Sequence, residues 1–348
     1  MHEVSPPQRR KIISPLPFEN PANAFVGLFS QALTDQGFIL RRFNWKWMGL
    51  QRTDFVIVHW PEYEFTADCP LGMVKPLVKL SALWLSKLLW GTKFIWLAHN
   101  ATAHDTQASA LPILRSFLNS LDGVVYLSKF SYDRVRESAP RIYNCKSLVT
   151  VHGHYREAFA TQATARRRLD ACTNLAYIGQ IRPYKNIAEL VAVASSISPG
   201  LNLSVAGRVA DHSLRAAIEA SAHGAPHIHL DLRDDIIADA ELEAIVDSAD
   251  AIVLPYKQIL NSGSALLALS RNRPVLAPRM GSFPELQEKV GTEWVYLYDG
   301  DFNQQVLVDF MKWMRETKRA EIAPLDAYEW SRVGRDLREF IESLDAGG

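Results

Sequence analysis

Twice along this chain, short β-branched or aromatic runs alternate with stretches of helical period, and few folds accommodate that rhythm. In the first half the strand-like runs are 11–15, 38–42, 54–59, 93–98, 123–127 and 147–151, with helical patterns at 22–36, 77–90, 106–119 and 131–137 between most of them. After a polar, Ala/Thr/Arg-rich stretch at 160–172 the rhythm restarts. Strands at 175–179, 202–206, 227–230, 251–254, 274–277 and 294–297 alternate with helices near 187–195, 213–222, 239–248, 264–270, 284–289 and 303–316. Strands fed by helical crossovers predict an α/β fold of two Rossmann-like, doubly wound domains facing across a cleft. A length of 348 residues fits two cores better than one. The expected division is a first domain over 1–158, a linker over 159–172 and a second domain over 173–325. An amphipathic helix within 326–348, with no strand after it, is expected to pack back towards the first domain. In such a fold the default ligand site lies between the domains.

The formal net charge is zero, which argues against a nucleic-acid binder. The balance is uneven along the chain: residues 1–150 hold 17 Lys+Arg against 11 Asp+Glu, and the remainder 21 against 27. The first half is therefore the one to face an anionic surface. Cys69, Cys145 and Cys172 are far apart, which predicts neither a disulfide framework nor a zinc site and fits a reducing cytoplasm. The polar start, with Arg9-Arg10-Lys11 and no apolar run behind it, predicts no signal peptide.

Two runs in the second half point to chemistry: Ile178-Gly-Gln-Ile-Arg-Pro-Tyr-Lys185 and Leu254-Pro-Tyr-Lys-Gln-Ile-Leu-Asn-Ser-Gly-Ser264. Each follows a strand and leads into a helix, so each brings cations or free backbone N–H groups to a strand's carboxyl end, where such sheets bind phosphate. Arg182 and Lys185 aim a fork and a point charge at one anion. Ser262 caps the following helix, and Gly263 permits close backbone approach. Together they predict a diphosphate clamp, with Lys257 as a further cation. Taken singly, each run is also an ordinary turn or cap.

The stretches His59-Trp-Pro-Glu-Tyr63, His99-Asn100 with His104-Asp105, His152-Gly-His-Tyr-Arg156, Ile181-Arg-Pro-Tyr-Lys185, Leu254-Pro-Tyr-Lys-Gln258 with Asn261-Ser-Gly263, Arg273-Pro-Val-Leu-Ala-Pro278, and Trp294-Val with Leu297-Tyr298 occur in this order. In that order the chain resembles the GT-B glycosyltransferases, and more narrowly the bacterial glycolipid β-mannosyltransferases. The resemblance implies a nucleotide-sugar donor, GDP-mannose, held by the second domain. It implies a polyprenyl-diphosphate-linked oligosaccharide acceptor held by the first, in exopolysaccharide assembly on the inner face of the cytoplasmic membrane. It also implies no cofactor and no metal. Many related retaining enzymes carry two glutamates eight apart where this chain has Ile259 and Leu267, which agrees with an inverting mechanism.

Inversion needs a group that takes the acceptor's proton. Glu62, Asp105, His99 and His104 are the catalytic candidates, with His59, His152 and His154 on the acceptor side. Glu62 is placed ahead of Asp105, and His99 is equally suited to holding a sugar hydroxyl. Each histidine alone is also a plausible turn residue, and none has the spacing of a metal site. Two other readings remain open: a retaining transferase or sugar-nucleotide epimerase of the same fold, and a non-catalytic nucleotide-sugar-binding subunit.

Between Pro70 and Gly91, Lys75, Lys79 and Lys87 share one sector of a helical wheel, leaving a face of Leu, Val and Trp that includes Trp84 and Trp90. Too short and charged to span a bilayer, this segment is expected to lie on an anionic membrane surface. The competing expectation is a helix buried against the sheet.

Overall fold

The computed structural model describes residues 9–345 apart from 22, 48, 66–69, 100–110, 140–141, 143, 160 and 162–171. The chain splits into two compact units, Met1–Gly153 with Tyr328–Gly348, and His154–Ala327. Each is built on a parallel six-stranded sheet.

The first unit runs β1 (Ile12–Leu16), α1 (Ala24–Asp35), β2 (Ile39–Leu40), β3 (Phe55–Val58), α2 (Pro61–Glu64), α3 (Val74–Trp90), β4 (Lys93–Ala98), α4 (Leu111–Asn119), β5 (Gly123–Tyr126), α5 (Lys129–Ser138) and β6 (Lys146–Val149). Its strand order is β2-β1-β3-β4-β5-β6. β3 is buried along its whole length and β4 nearly so, as parallel strands covered by helices on both faces must be. Winding changes direction between β1 and β3, which opens a crevice at their carboxyl ends. Helices α1 and α5 start on polar caps: the Asn23 side chain accepts from the Phe25 N–H at 3.1 Å, and Ser128 and Ser131 form a capping box.

The second unit runs β7 (Thr173–Ile178), α6 (Ile187–Ser195), β8 (Leu201–Arg208), α7 (His212–Ser221), β9 (Ile228–Arg233), α8 (Asp239–Ser248), β10 (Ala251–Val253), α9 (Gly263–Ser270), β11 (Val275–Pro278), α10 (Phe283–Val290), β12 (Val295–Tyr298) and α11 (Gln304–Glu316). The order β12-β11-β10-β7-β8-β9 puts the change of winding between β10 and β7. The two basic loops follow these two strands.

The last helix, α12 (Trp330–Asp345), belongs to the first unit, where it covers α1 and β6. It buries Trp330, Val333, Leu337, Phe340, Ile341 and Leu344, a stripe of helical period. Its terminal carbonyls are met by cations: Lys93 Nζ donates to the Leu344 carbonyl and Lys146 Nζ to that of Ser343.

Helix α3 has partners that the wheel reading does not contain. Lys79 is turned to Glu64 and lies over the Trp45 ring, and Lys87 Nζ is 2.6 Å from Asp122 Oδ2. These two cations pair with carboxylates of their own unit. A helical wheel omits such partners because they come from elsewhere in the chain. Lys75 is exposed, as are Val74, Leu77, Val78, Trp84 and Leu88, the last at 82%. These apolar positions recur at helical spacing, while Pro76, Leu80, Ala82, Leu83 and Ser86 are buried. One face thus packs inward and an apolar face looks out. Trp90, 39% exposed, is pinned by its Nε1–H to the Gly49 carbonyl at 3.2 Å. Among the described residues no helix is long and apolar enough to cross a membrane.

Candidate functional site

The two basic loops lie at the crevice between β7 and β10, which pair directly. After β7, Gly179 adopts φ +119°, and its carbonyl lies so close to Gly207 that a Cβ there would sit 1.9 Å from it. Only glycine permits both the turn and the approach. Ile181, buried, donates its N–H to the Arg208 carbonyl at 2.8 Å, which ties the loop to the end of β8. Arg182 then precedes a single turn, Pro183–Lys185, ended by Asn186 in the left-handed region at φ 59°. Proline at the start of this turn loses no needed N–H.

After β10, Pro255 and Tyr256 are buried and Lys257 is exposed. The loop reaches Ser262, whose hydroxyl accepts from the Ala265 N–H at 3.3 Å and caps α9. The Ser262 hydroxyl is therefore occupied in holding the helix start. The first-turn amides of Gly263 and Ser264 are what an anion would meet, because helix geometry gives them no partner within the helix.

The two loops are joined to each other. The Lys257 N–H donates to the Tyr184 carbonyl at 2.8 Å, Lys185 Nζ to the Tyr256 hydroxyl at 3.1 Å, and the Ser264 hydroxyl to the Ile178 carbonyl at 3.3 Å. Arg182, Lys185, Lys257, Ser262 and Gly263 are thus brought onto adjoining loops of one sheet edge. Ile259 and Leu267, at the glutamate positions of many retaining relatives, are apolar.

In the first unit, His59 follows β3, His99 follows β4 and His152 lies beyond β6. The three surround Phe25 of α1, with ring centroids 6.0, 4.9 and 4.3 Å from it. Phe29 meets His59 at 5.0 Å, Trp60 stacks on His99 at 4.8 Å, and Trp330 closes on Phe25 at 5.4 Å. His59 Nδ1 and His99 Nε2 share a hydrogen bond of 3.3 Å. His152 donates its Nδ1–H to the Gly153 carbonyl at 2.9 Å, since a carbonyl only accepts.

This apolar nest keeps the imidazoles neutral. Burial lowers His59 to about 3 and His152 to about 4. Burial, and then the neighbouring His59 and His152, holds His99 well below the ordinary histidine value. Three neutral imidazoles beside aromatic rings offer both donors and acceptors to neutral hydroxyl groups. Any proton they took up would sit in an apolar shell.

Glu62 lies in the first turn of α2, directly after this cluster in sequence and half-buried. His104 and Asp105 lie outside the described residues. So do Asn100, Cys69, the start of the 106–119 helix and most of the 159–172 linker. His154 falls in the second unit, which begins directly after Gly153. There it accepts from the Arg156 N–H at 3.4 Å, while Tyr155 N–H donates to Ser270 Oγ of α9 at 2.8 Å.

Side chains that sequence reasoning passed over include Phe25, Phe29 and Trp330, which wall the histidine nest, and Tyr256, which holds Lys185. The last had a signal: the triplet Pro-Tyr-Lys occurs at both 183–185 and 255–257.

No family model matches the chain. A curated relative from Xanthomonas campestris pv. campestris, GDP-mannose:glycolipid 4-beta-D-mannosyltransferase, is 30% identical over 301 residues, spanning 86% of this chain and 82% of the relative. The chain belongs to this family. It is a glycosyltransferase, and solved structures place its fold. A glycosyltransferase involved in avilamycin A biosynthesis, AviGT4, aligns with a TM-score of 0.61 at 13% identity, over 98% of this chain and 99% of that one. The Anabaena protein Alr3699/HepE, solved in complex with UDP-glucose, aligns with a TM-score of 0.62 at 10% identity, over 97% of this chain and all of that one. The family member described here has the GT-B fold, and its twin parallel sheets are those the sequence rhythm led us to expect.

Proposed function

We propose that this glycosyltransferase moves mannose from GDP-mannose onto a polyprenyl-diphosphate-linked oligosaccharide, with inversion, during exopolysaccharide assembly. The observation that carries this reading is the 30% identity, over most of both chains, to a relative whose name specifies that donor, a glycolipid acceptor and a β linkage. A β linkage made from an α-linked donor requires one displacement at the anomeric carbon. The acceptor oxygen bonds to that carbon, the bond to the diphosphate breaks on the opposite side, and the hydroxyl proton leaves to a base. Apolar Ile259 and Leu267 agree with an inverting route.

Charge grows on the departing diphosphate as the bond breaks. Lys185, Arg182 and Lys257, with the Gly263 and Ser264 amides, supply fixed positive ends that stabilise this change more than the ground state. No metal is required of such a clamp. Glu62 is the proton acceptor in this reading. The neutral histidines bind sugar hydroxyls instead, because charging them inside the aromatic nest is unfavourable. The test is to incubate the protein with a bacterial lipid extract and separate radiolabelled nucleotide sugars. Label should enter lipid from GDP-mannose. Entry only from another donor, or from none, overturns the reading and favours a retaining or non-catalytic relative.

The acceptor is membrane-borne, and the outward face of α3 suits that. Leu77, Trp84 and Leu88 on a basic first unit fit the interface of an anionic leaflet on the cytoplasmic side. Because Lys79 and Lys87 are tied to carboxylates, apolar insertion outweighs charge. The protein should therefore sediment with vesicles of anionic phospholipid and be released only in part by 1 M salt, where the Debye length is about 3 Å. Replacing Leu77, Trp84 and Leu88 together with glutamine should abolish sedimentation. Full release by salt, or sedimentation unchanged in the triple variant, would remove α3 from the interface.

A further inference from the structure

The repeated triplets Pro183-Tyr184-Lys185 and Pro255-Tyr256-Lys257 meet by a reciprocal exchange. The Lys257 backbone N–H donates to the Tyr184 carbonyl at 2.8 Å, and the Lys185 ammonium donates to the Tyr256 hydroxyl at 3.1 Å. The ammonium also lies 4.4 Å from the Tyr256 ring centroid, at cation–π distance. Tyr256 is 1% exposed and its neighbour Tyr177 fully buried, so neither hydroxyl has bulk water for a partner.

The direction of the hydrogen bonds follows from chemistry. Tyr177 donates its only proton to the Gln180 carbonyl at 3.0 Å, because a carbonyl can only accept. An ammonium only donates, so the Tyr256 oxygen is the acceptor of the Lys185 bond. Tyr177, its buried neighbour, is tied back to Gln180 in the same loop that carries Lys185. Burial, then the nearby Tyr256 and Tyr184, holds the Tyr177 hydroxyl well above the ordinary phenol value. It stays protonated and keeps its bond to Gln180.

We propose that Tyr256, backed by Tyr177, is the positioning residue for Lys185, fixing one of its three ammonium protons and leaving two for the donor's diphosphate. This inference rests on the clamp reading of Lys185. A lysine side chain carries several freely rotating bonds, and ordering them before the donor arrives removes that cost from binding and from the transition state. Tyr256 itself touches no substrate in this account. Its effect has to pass through Lys185.

A double-mutant cycle with GDP as the probe tests this, read by titration calorimetry alongside turnover. Tyr256→Phe keeps the ring and removes the acceptor oxygen. It should weaken GDP binding several-fold and lower turnover about tenfold, within the ~10²-fold that misplacement of a reacting group can cost. In a Lys185→Ala background the same substitution should change GDP affinity by no more than the error, because the group it positions is gone. Tyr177→Phe removes the hydroxyl beside Tyr256, and should give a smaller loss that also vanishes in that background. Should Tyr256→Phe fail to fold, the Tyr177→Phe cycle carries the test. Equal losses in both backgrounds, or wild-type affinity and turnover in Tyr256→Phe, overturn the inference. Wild-type GDP affinity and turnover in Lys185→Ala overturn the clamp reading instead.

Discussion

Replacing Lys185 with alanine should lower turnover by about 10²- to 10³-fold, the loss seen when a single preorganised stabiliser of developing charge is removed. That corresponds to roughly 2.7–4 kcal/mol of transition-state stabilisation. Lys185 has an expected effect of this size because it is held in place before the donor binds, through Tyr256 at 3.1 Å and the ring beneath it. Lys257 is exposed and held through its backbone, so Lys257→Ala should cost less. The fold should survive, since Lys185 ends a single short turn, is only half-buried and is not part of the apolar core. Steady-state kinetics with a thermal melt decides it. Turnover near wild type in a folded Lys185→Ala variant removes this residue from the mechanism.

Glu62→Gln should retain donor binding and lose turnover by about 10²- to 10⁴-fold, the range general-base catalysis supplies. Glutamine keeps the size and hydrogen-bonding capacity of the side chain but cannot take a proton. GDP affinity should be unchanged because the basic loops belong to the other unit. The first turn of α2 follows β3 at the change of winding, where such sheets present their ligand groups. If Glu62→Gln turns over normally and Asp105→Asn does not, Asp105 is the base. If both are active, the proton goes to a histidine despite its apolar surroundings.

The sheets and most helices were legible because the central strands, such as β3, β4 and β5, are short apolar runs buried on both faces, and most helices show an apolar stripe. Bounds slipped where local pattern and hydrogen bonding differ. The 38–42 run pairs only over Ile39–Leu40, and β8 extends to Leu201–Arg208, beyond the apolar core of 202–206. The short α2 was missed, because a four-residue turn has no period to detect. The basic loops were legible because Gly179, Pro183 and Gly263 have strong backbone preferences beside charged residues. Neither the Lys79–Glu64 and Lys87–Asp122 pairs nor the aromatic walls around the histidines could be read in the same way. Such contacts join residues far apart in the chain, and a one-dimensional pattern records only what each residue does to its neighbours.

The measurement that bears most directly on this account is transfer of label from GDP-mannose into the lipid fraction by purified protein in excess EDTA. If Arg182, Lys185 and the α9 amides carry the charge of the departing diphosphate, label should enter lipid at the rate seen without chelator, and Lys185→Ala should abolish most of it. Loss of transfer in EDTA that added Mg²⁺ restores would contradict the account.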